Sequence, residues 1–275
     1  MWSAAATRRT HCRDHWKWRV GGALESGPSS IEMGRRVFQT LRRSAVRKLV
    51  GLQRRWAALR AQWLTRRETP ELLKAYEAFR AANQSGSGRQ PLKGRDLWSL
   101  LERFRPRFIA EMGSGTTSAV FALWALRRGA RYVAYEHDQA WARVTEGSLR
   151  QAGIVDGLES PIRFVPSRVR GDGQATGFVE SIPEDADFVY VDGPPCKIEG
   201  GRKVPNDDVV RLFDAGAVPR VVVVDGRVQT VDLIRGHPVG RAYSFEPSYI
   251  YCYRRGLWGL ALRCREHTVF ARADA

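Results

Sequence analysis

Five short and almost unbroken apolar runs set the strongest limit on how this chain can fold. They are RFIAEM (107–112), RYVAYE (131–136), IRFV (162–165), DFVYV (187–191) and RVVVV (220–224). Runs this apolar are buried on both faces, which calls for a parallel sheet covered by helices on each side. The stretches 116–128, 138–152, 206–215 and 227–235 read as those helices. Beyond residue 240 the character changes: YSFEPSYIYCY and HTVFAR look like two longer strands able to pair antiparallel. The expected architecture is an α/β doubly wound sheet, mostly parallel, with an antiparallel C-terminal edge.

Residues 111–118, EMGSGTTS, follow the first run, and ligands of such sheets gather outside the carboxyl ends of the strands. Gly113 and Gly115 permit a sharp turn and a close approach of backbone to ligand, and Thr116 or Thr117 can cap the next helix. A plain structural turn is the competing explanation of Gly-x-Gly. A phosphate loop is excluded, because no GxxxxGK[ST] is present and no lysine follows. A nicotinamide dinucleotide is disfavoured by Ser118, which stands where a third glycine is needed. Glu111 also disfavours it, since a carboxylate expected to project toward the ligand would repel a pyrophosphate but not a cationic sulfonium. Glu136 closes the second run 21 residues after Gly115, where an acid can accept both hydroxyls of a ribose.

EMGSGTTS followed by YEHD (135–138) resembles the class I S-adenosylmethionine-dependent methyltransferases, whose first motif is an acid-x-Gly-x-Gly loop. The likeness covers roughly residues 106–225 and points to little-characterised bacterial members. It implies a Rossmann-like sheet and S-adenosylmethionine as cofactor. Glu111, Gly113, Ser114 and Gly115 would surround the methionine part, Glu136 the ribose and His137 the adenine, with Thr117 and Asp192 completing the cofactor set. One departure stands out: where such proteins often carry an acid after the third strand, this chain reads FVPSRVRGD, which leaves Asp172 or a backbone group to meet the adenine.

The fourth run ends in VDGPPC (191–196), beside the expected position of the transferring methyl. Asp192 is the candidate base for a hydroxyl acceptor, against the plainer role of a turn carboxylate. The stretch resembles the Asp-Pro-Pro-aromatic of amino-group methyltransferases, but Gly193 intervenes and Cys196 replaces the aromatic, so stacking of a flipped base is poorly supported. Cys196 reads as a plain loop thiol. Asp225 ends the fifth run and could join Asp192 on Mg²⁺, although two ligands are too few to commit to a metal. CKIEGGRKVPNDD (196–208) reads as a lid or an exposed loop, and Lys197, Arg202 and Lys203 in it favour an anionic acceptor. Phe245, Tyr249 and Tyr251 read as sheet core before acceptor platform.

The formal charge of +16 is concentrated at the N-terminus, where residues 1–70 hold 16 Lys and Arg against 4 Asp and Glu. Met33 to Arg67 contains eleven basic residues and no acid, and Phe38, Leu41, Ala45, Leu49, Leu52, Trp56, Leu59 and Trp63 recur at helical spacing. A homodimeric coiled coil would stack Arg on Arg. The plain expectation is that this seam packs on the parent domain; contact with an anionic membrane or RNA is the alternative. The expected organisation is 1–32 disordered or a mis-assigned start, 33–90 a basic helical extension with a second helix from Thr69-Pro70, and 91–275 the cofactor domain. The boundary is placed in the loop 83–91. Four scattered cysteines and the lack of an apolar leader fit a cytoplasmic protein, peripheral at the membrane at most. The function expected is methyl transfer to oxygen, less often nitrogen, of a small-molecule, sugar or lipid acceptor. The alternative is an inactive module of the same fold that docks on RNA or a membrane.

Overall fold

The computed structural model describes residues 30–83, 90–155, 160–171, 173–261 and 263–275. In chain order its elements are α1 (Ser30–Glu68), α2 (Pro70–Asn83), α3 (Gln90–Phe104), β1 (Phe108–Met112), α4 (Ser118–Arg128), β2 (Arg131–Glu136), α5 (Gln139–Gln151) and β3 (Ile162–Phe164). A hairpin of β4 (Ser167–Arg170) and β5 (Ala175–Phe178) precedes β6 (Phe188–Val191), α6 (Asp208–Asp214), β7 (Val221–Val224) and α7 (Val228–Gly236). The chain closes with α8 (Pro238–Arg241), β8 (Ser244–Glu246), α9 (Tyr249–Arg254), α10 (Trp258–Ala261) and β9 (Thr268–Ala271). Every apolar run has become a strand.

The main sheet has seven strands in the order β3-β2-β1-β6-β7-β9-β8. Neighbours are parallel except at β9, which runs antiparallel to both β7 and β8. The order reverses between β1 and β6, which creates the crevice where ligands of doubly wound sheets bind. The expected antiparallel C-terminal strand is therefore present as β9, set one position in from the edge that β8 occupies. YSFEPSYIYCY divides in two: Ser244–Glu246 pairs with β9, while Tyr249–Arg254 coils into α9, capped by Ser248 Oγ accepting from Tyr251 N at 3.1 Å.

Alternation along the strands sorts the core into two layers. Ile109, Phe188, Tyr190, Val221 and Val223 face Leu97, Leu101, Phe121 and Trp124 of α3 and α4. Ala110, Met112, Val189, Val191, Val222 and Val224 face Leu212, Val231 and Ile234 of α6 and α7. Leu72, Ala75 and Tyr76 place α2 in the first layer, so this helix belongs to the packed body. The boundary expected in 83–91 lies mostly outside the described residues.

The chain divides into two compact units, ending and beginning at Ser44 and Ala45. The smaller unit is described from Ser30 onward as helix, with Val37, Phe38 and Leu41 exposed. The expectation for residues 1–32 falls outside the described residues up to 29. In the larger unit, Val50, Ala61 and Thr65 of α1 turn inward and are buried. Arg54 is drawn in as well: it pairs with Glu266 and lies 4.3 Å over the Tyr249 ring. Leu49, Leu52, Trp56, Leu59 and Trp63 of the seam face the other way and are exposed, so the expected packing of this part of the seam on the parent domain is overturned. The pairing of Arg54 with Glu266 and its stacking on Tyr249 turn the opposite face of the helix toward the body. No helix among the described residues is long and apolar enough to cross a membrane.

Candidate functional site

The two glycines of EMGSGTTS have different reasons to be there. Gly113 has φ +92, and a Cβ on it would stand 2.5 Å from Gly193 N and 2.6 Å from Gly193 Cα. A Cβ on Gly193 would in turn stand 2.5 Å from Gly113 Cα. The loops after β1 and β6 thus cross backbone on backbone, pinned by Asp192 N donating to Met112 O at 2.8 Å. The additional glycine of VDGPPC is explained: it is the partner that Gly113 requires. Gly115 carries no such demand. A Cβ there would meet nothing closer than Trp141 Nε1 at 3.8 Å, so the fold itself would accept alanine. Its glycine leaves room that an occupant of the crevice can use.

Glu111 does not project toward a ligand. Parity along β1 places it on the side of Ile109, beneath α4, with no exposed surface. Its carboxylate accepts from Thr117 Oγ1 at 2.6 Å, Ser118 Oγ at 2.7 Å and the Tyr132 hydroxyl. The placement of Glu111 at the methionine part, and its repulsion of a pyrophosphate, are corrected accordingly. It braces the loop from behind. Thr117 is corrected with it: it occupies the N-cap position of α4 but makes no cap bond, because its hydroxyl is spent on Glu111. Thr116 Oγ1 donates to Gln90 Oε1 at 2.8 Å. Ser118 fills the third glycine's place by accepting from Gly115 N at 2.9 Å.

Burial pushes the Glu111 carboxyl up to about 8 from its ordinary 4.5, and the three hydroxyl donors only partly offset this. A folded pKa above the unfolded one means that the native state binds the extra proton. Its stabilisation is complete below pH 4.5 and is lost as pH rises through about 8. Asp192 and Asp208 are pushed up only to about 6, so the upper part of that window belongs to Glu111. We expect the urea midpoint to fall from pH 6 to pH 8 in the wild type and to stay nearly level in Glu111→Gln. Parallel slopes in the two proteins would refute this.

Glu136 ends β2 at 2% exposure, with both oxygens engaged. Oε2 accepts from Ser114 N at 2.9 Å and Ser114 Oγ at 3.0 Å; Oε1 accepts from His137 N at 2.8 Å and Asp138 N at 2.9 Å. The carboxylate ties the glycine loop to the end of β2. Of its four donors only the Ser114 hydroxyl can rotate away, so a ribose would have to take that place. His137 is partly exposed, and its Nδ1 lies 2.8 Å from Glu136 Oε1. After the expected β3, the FVPSRVRGD segment continues into β4 where a loop was expected, and Asp172 lies outside the described residues.

At the ends of β6 and β7 two carboxylates have been separated in character. Asp225 is buried and paired with Lys93 of α3. Burial alone would raise its pKa, but the neighbouring His267 and Lys93 hold it below the ordinary value. Asp192 leaves 44% of its side chain open, with Arg227 Nε 3.5 Å from Oδ1. Desolvation within the crevice and the charge of Asp225 push it up to about 6, against Arg227, Lys93 and His267. Arg227 also donates to Asp192 O and Pro194 O, which holds the turn in place. Lys93 thus serves Asp225, and Arg227 lies beside Asp192. Among the described residues no group of three His, Cys, Asp or Glu could hold a metal ion.

Lys93, Asp96, Arg227 and His267 carry no motif, and sequence reasoning missed them. His267 is fully buried, with Nδ1 2.8 Å from Asp96 Oδ2 and its ring packed edge-on to Tyr190 at 5.7 Å. Beside this group a cavity of about 600 Å³ opens between α1, α3 and residues 264–266. Arg54, Arg60, Asp96, Tyr249 and Arg265 are on its wall, so Tyr249 is a cavity residue while Tyr251 is buried in core. The segment 196–208 is half anchored: Asn206 is buried and donates to Gly193 O at 3.1 Å, whereas Lys197, Arg202 and Lys203 remain exposed.

A seven-stranded, mostly parallel sheet with helices on both faces defines a Rossmann-like α/β protein, and a glycine loop, an acid closing β2 and an open acid after β6 make the β1/β6 crevice its candidate ligand site. No family model and no curated protein matches the chain. Among solved structures it is similar to a Klebsiella pneumoniae protein assigned as an O-methyltransferase, with 14% identity, TM-score 0.47, and coverage of 81% of this chain and 100% of that one. It is also similar to the O-methyltransferase of Bacillus cereus in complex with S-adenosylhomocysteine, with 15% identity, TM-score 0.44 and coverage of 76% and 94%. TomG, an O-methyltransferase of Streptomyces achromogenes in complex with S-adenosylmethionine, gives 22% identity, TM-score 0.38 and coverage of 74% and 90%. All of these TM-scores stay below one half, so what the chain does is read from its own residues.

Proposed function

We propose that this chain is an S-adenosylmethionine-dependent methyltransferase acting on oxygen, less often nitrogen, of a small-molecule, sugar or lipid acceptor. The observation that carries the reading is the crossing of Gly113 with Gly193. It sets an open carboxylate, Asp192, against a loop whose second glycine the fold does not need. S-adenosylmethionine, when bound, supplies a methyl group already activated by its sulfonium, so catalysis rests mainly on positioning. Gly115 gives the cofactor room at the loop, and Glu136 receives the ribose once Ser114 Oγ yields its place. Asp192 takes the proton from the acceptor hydroxyl as the oxygen attacks. The remainder of the acceptor occupies the cavity beside Lys93 and His267, where Arg60 suits an anionic group.

Calorimetry tests this directly. S-adenosylmethionine and S-adenosylhomocysteine should bind and NAD should not. Gly115→Ala should weaken the sulfur ligands at least tenfold, about 1.4 kcal/mol, while its melting temperature stays within about two degrees of wild type. Absence of binding by either sulfur ligand at millimolar concentration would sink the proposal.

A further inference from the structure

We propose that the exposed face of α1 docks this protein on an anionic lipid surface. Leu49, Leu52, Trp56, Leu59 and Trp63 are 54%, 55%, 73%, 61% and 57% exposed and fall on one side of the helix. A soluble helix ordinarily turns such a stripe inward. Here the body instead takes the face bearing Val50, Ala61 and Thr65, so the stripe is left exposed among the described residues of the unit that contains it. At about 100° per residue, Lys48, Arg55 and Arg66 line one flank of the stripe and Arg60 and Arg67 the other. All five are exposed.

This arrangement decides between occupants. A second copy of the chain would bring these cations against themselves, with no acid between Met33 and Arg67 to relieve them. A nucleic acid would take the charges but leave three leucines in water, since phosphates and bases make no use of an aliphatic row. An anionic bilayer satisfies both halves. Leu and Trp enter the boundary between headgroups and acyl chains, and the flanking Lys and Arg reach out to the phosphates. Each such cation strengthens attachment to a negatively charged leaflet. Arg67 already lies 5.5 Å over the Trp63 ring, a pairing compatible with a headgroup zone. The docking does not depend on methyl transfer.

The full chain should sediment with vesicles of phosphatidylcholine containing one part in three phosphatidylglycerol, and at least tenfold less with phosphatidylcholine alone. Leu52→Ser/Leu59→Ser removes apolar area without touching charge and should weaken anionic-vesicle binding about tenfold or more, with unchanged circular dichroism and melting. Lys48→Gln/Arg55→Gln should weaken it to a similar degree and flatten its dependence on salt. The proposal is overturned if the chain ignores anionic vesicles or if the folded serine variant binds them as well as wild type. It is equally overturned if the stripe variant instead dissolves a dimer or releases RNA.

Discussion

Gly113→Ala is expected to cost the native state about 3 kcal/mol or more and to abolish cofactor binding at the same time. Two penalties add. Alanine is strained at φ +92, and its Cβ would overlap backbone of Gly193 at 2.5 Å, where no flexible side-chain end can give way. The crossing must open, which pulls the loop after β1 away from the turn that carries Asp192. Gly193→Ala should fail in the same way, since its Cβ meets Gly113 Cα at the same distance. Denaturant melts of Gly113→Ala, Gly193→Ala and Gly115→Ala, read beside calorimetry, check this. If Gly113→Ala melts like wild type, the backbone contact is not the hinge of the site.

Asp192→Asn is expected to slow methyl transfer about 100-fold or more while leaving cofactor affinity within a few fold. Asparagine keeps the shape and the contact with Arg227 but cannot take a proton. The wild-type rate should rise with pH through about 6, where Asp192 loses its own proton, and then level off. The variant should lack this rise. Asp225 cannot substitute, because it is buried and held in its ion pair with Lys93. The measurement requires the acceptor that labelled S-adenosylmethionine marks in a cell extract. A variant that retains the wild-type rate and profile would leave Asp192 with no role beyond its turn.

The central strands β1, β6 and β7 were legible in the sequence because a strand buried on both faces has to be apolar throughout. The glycine loop was legible as a turn for a related reason, since few residues tolerate positive φ. What could not be read there was which glycine served the fold. That depended on Gly193, 80 positions away, a contact no local pattern encodes. Glu111 misled because its type suggested a ligand contact, whereas the parity of β1 turned it beneath α4. The stretch after β3 was misread for a simpler reason, as a hairpin of β4 and β5 stands where a loop was expected.

The seam of α1 marks the limit most plainly. Its periodicity established a helix with one apolar side, and its composition established dense positive charge. Neither could say whether that side faced the body, because hydrophobic spacing is the same for a stripe that is buried and for one left to a partner. Burial of Val50, Ala61 and Thr65, with Arg54 drawn in by Glu266 and Tyr249, decided it. The sequence by itself determined the alternating sheet, the crevice loop and the basic helix, through rules that act over a few neighbouring residues. The tertiary structure alone decided the Gly113–Gly193 crossing, the pairing of Asp225 with Lys93 that leaves Asp192 open, and the outward turn of the Leu/Trp stripe. Each of these depends on which distant backbones and charges come within contact distance.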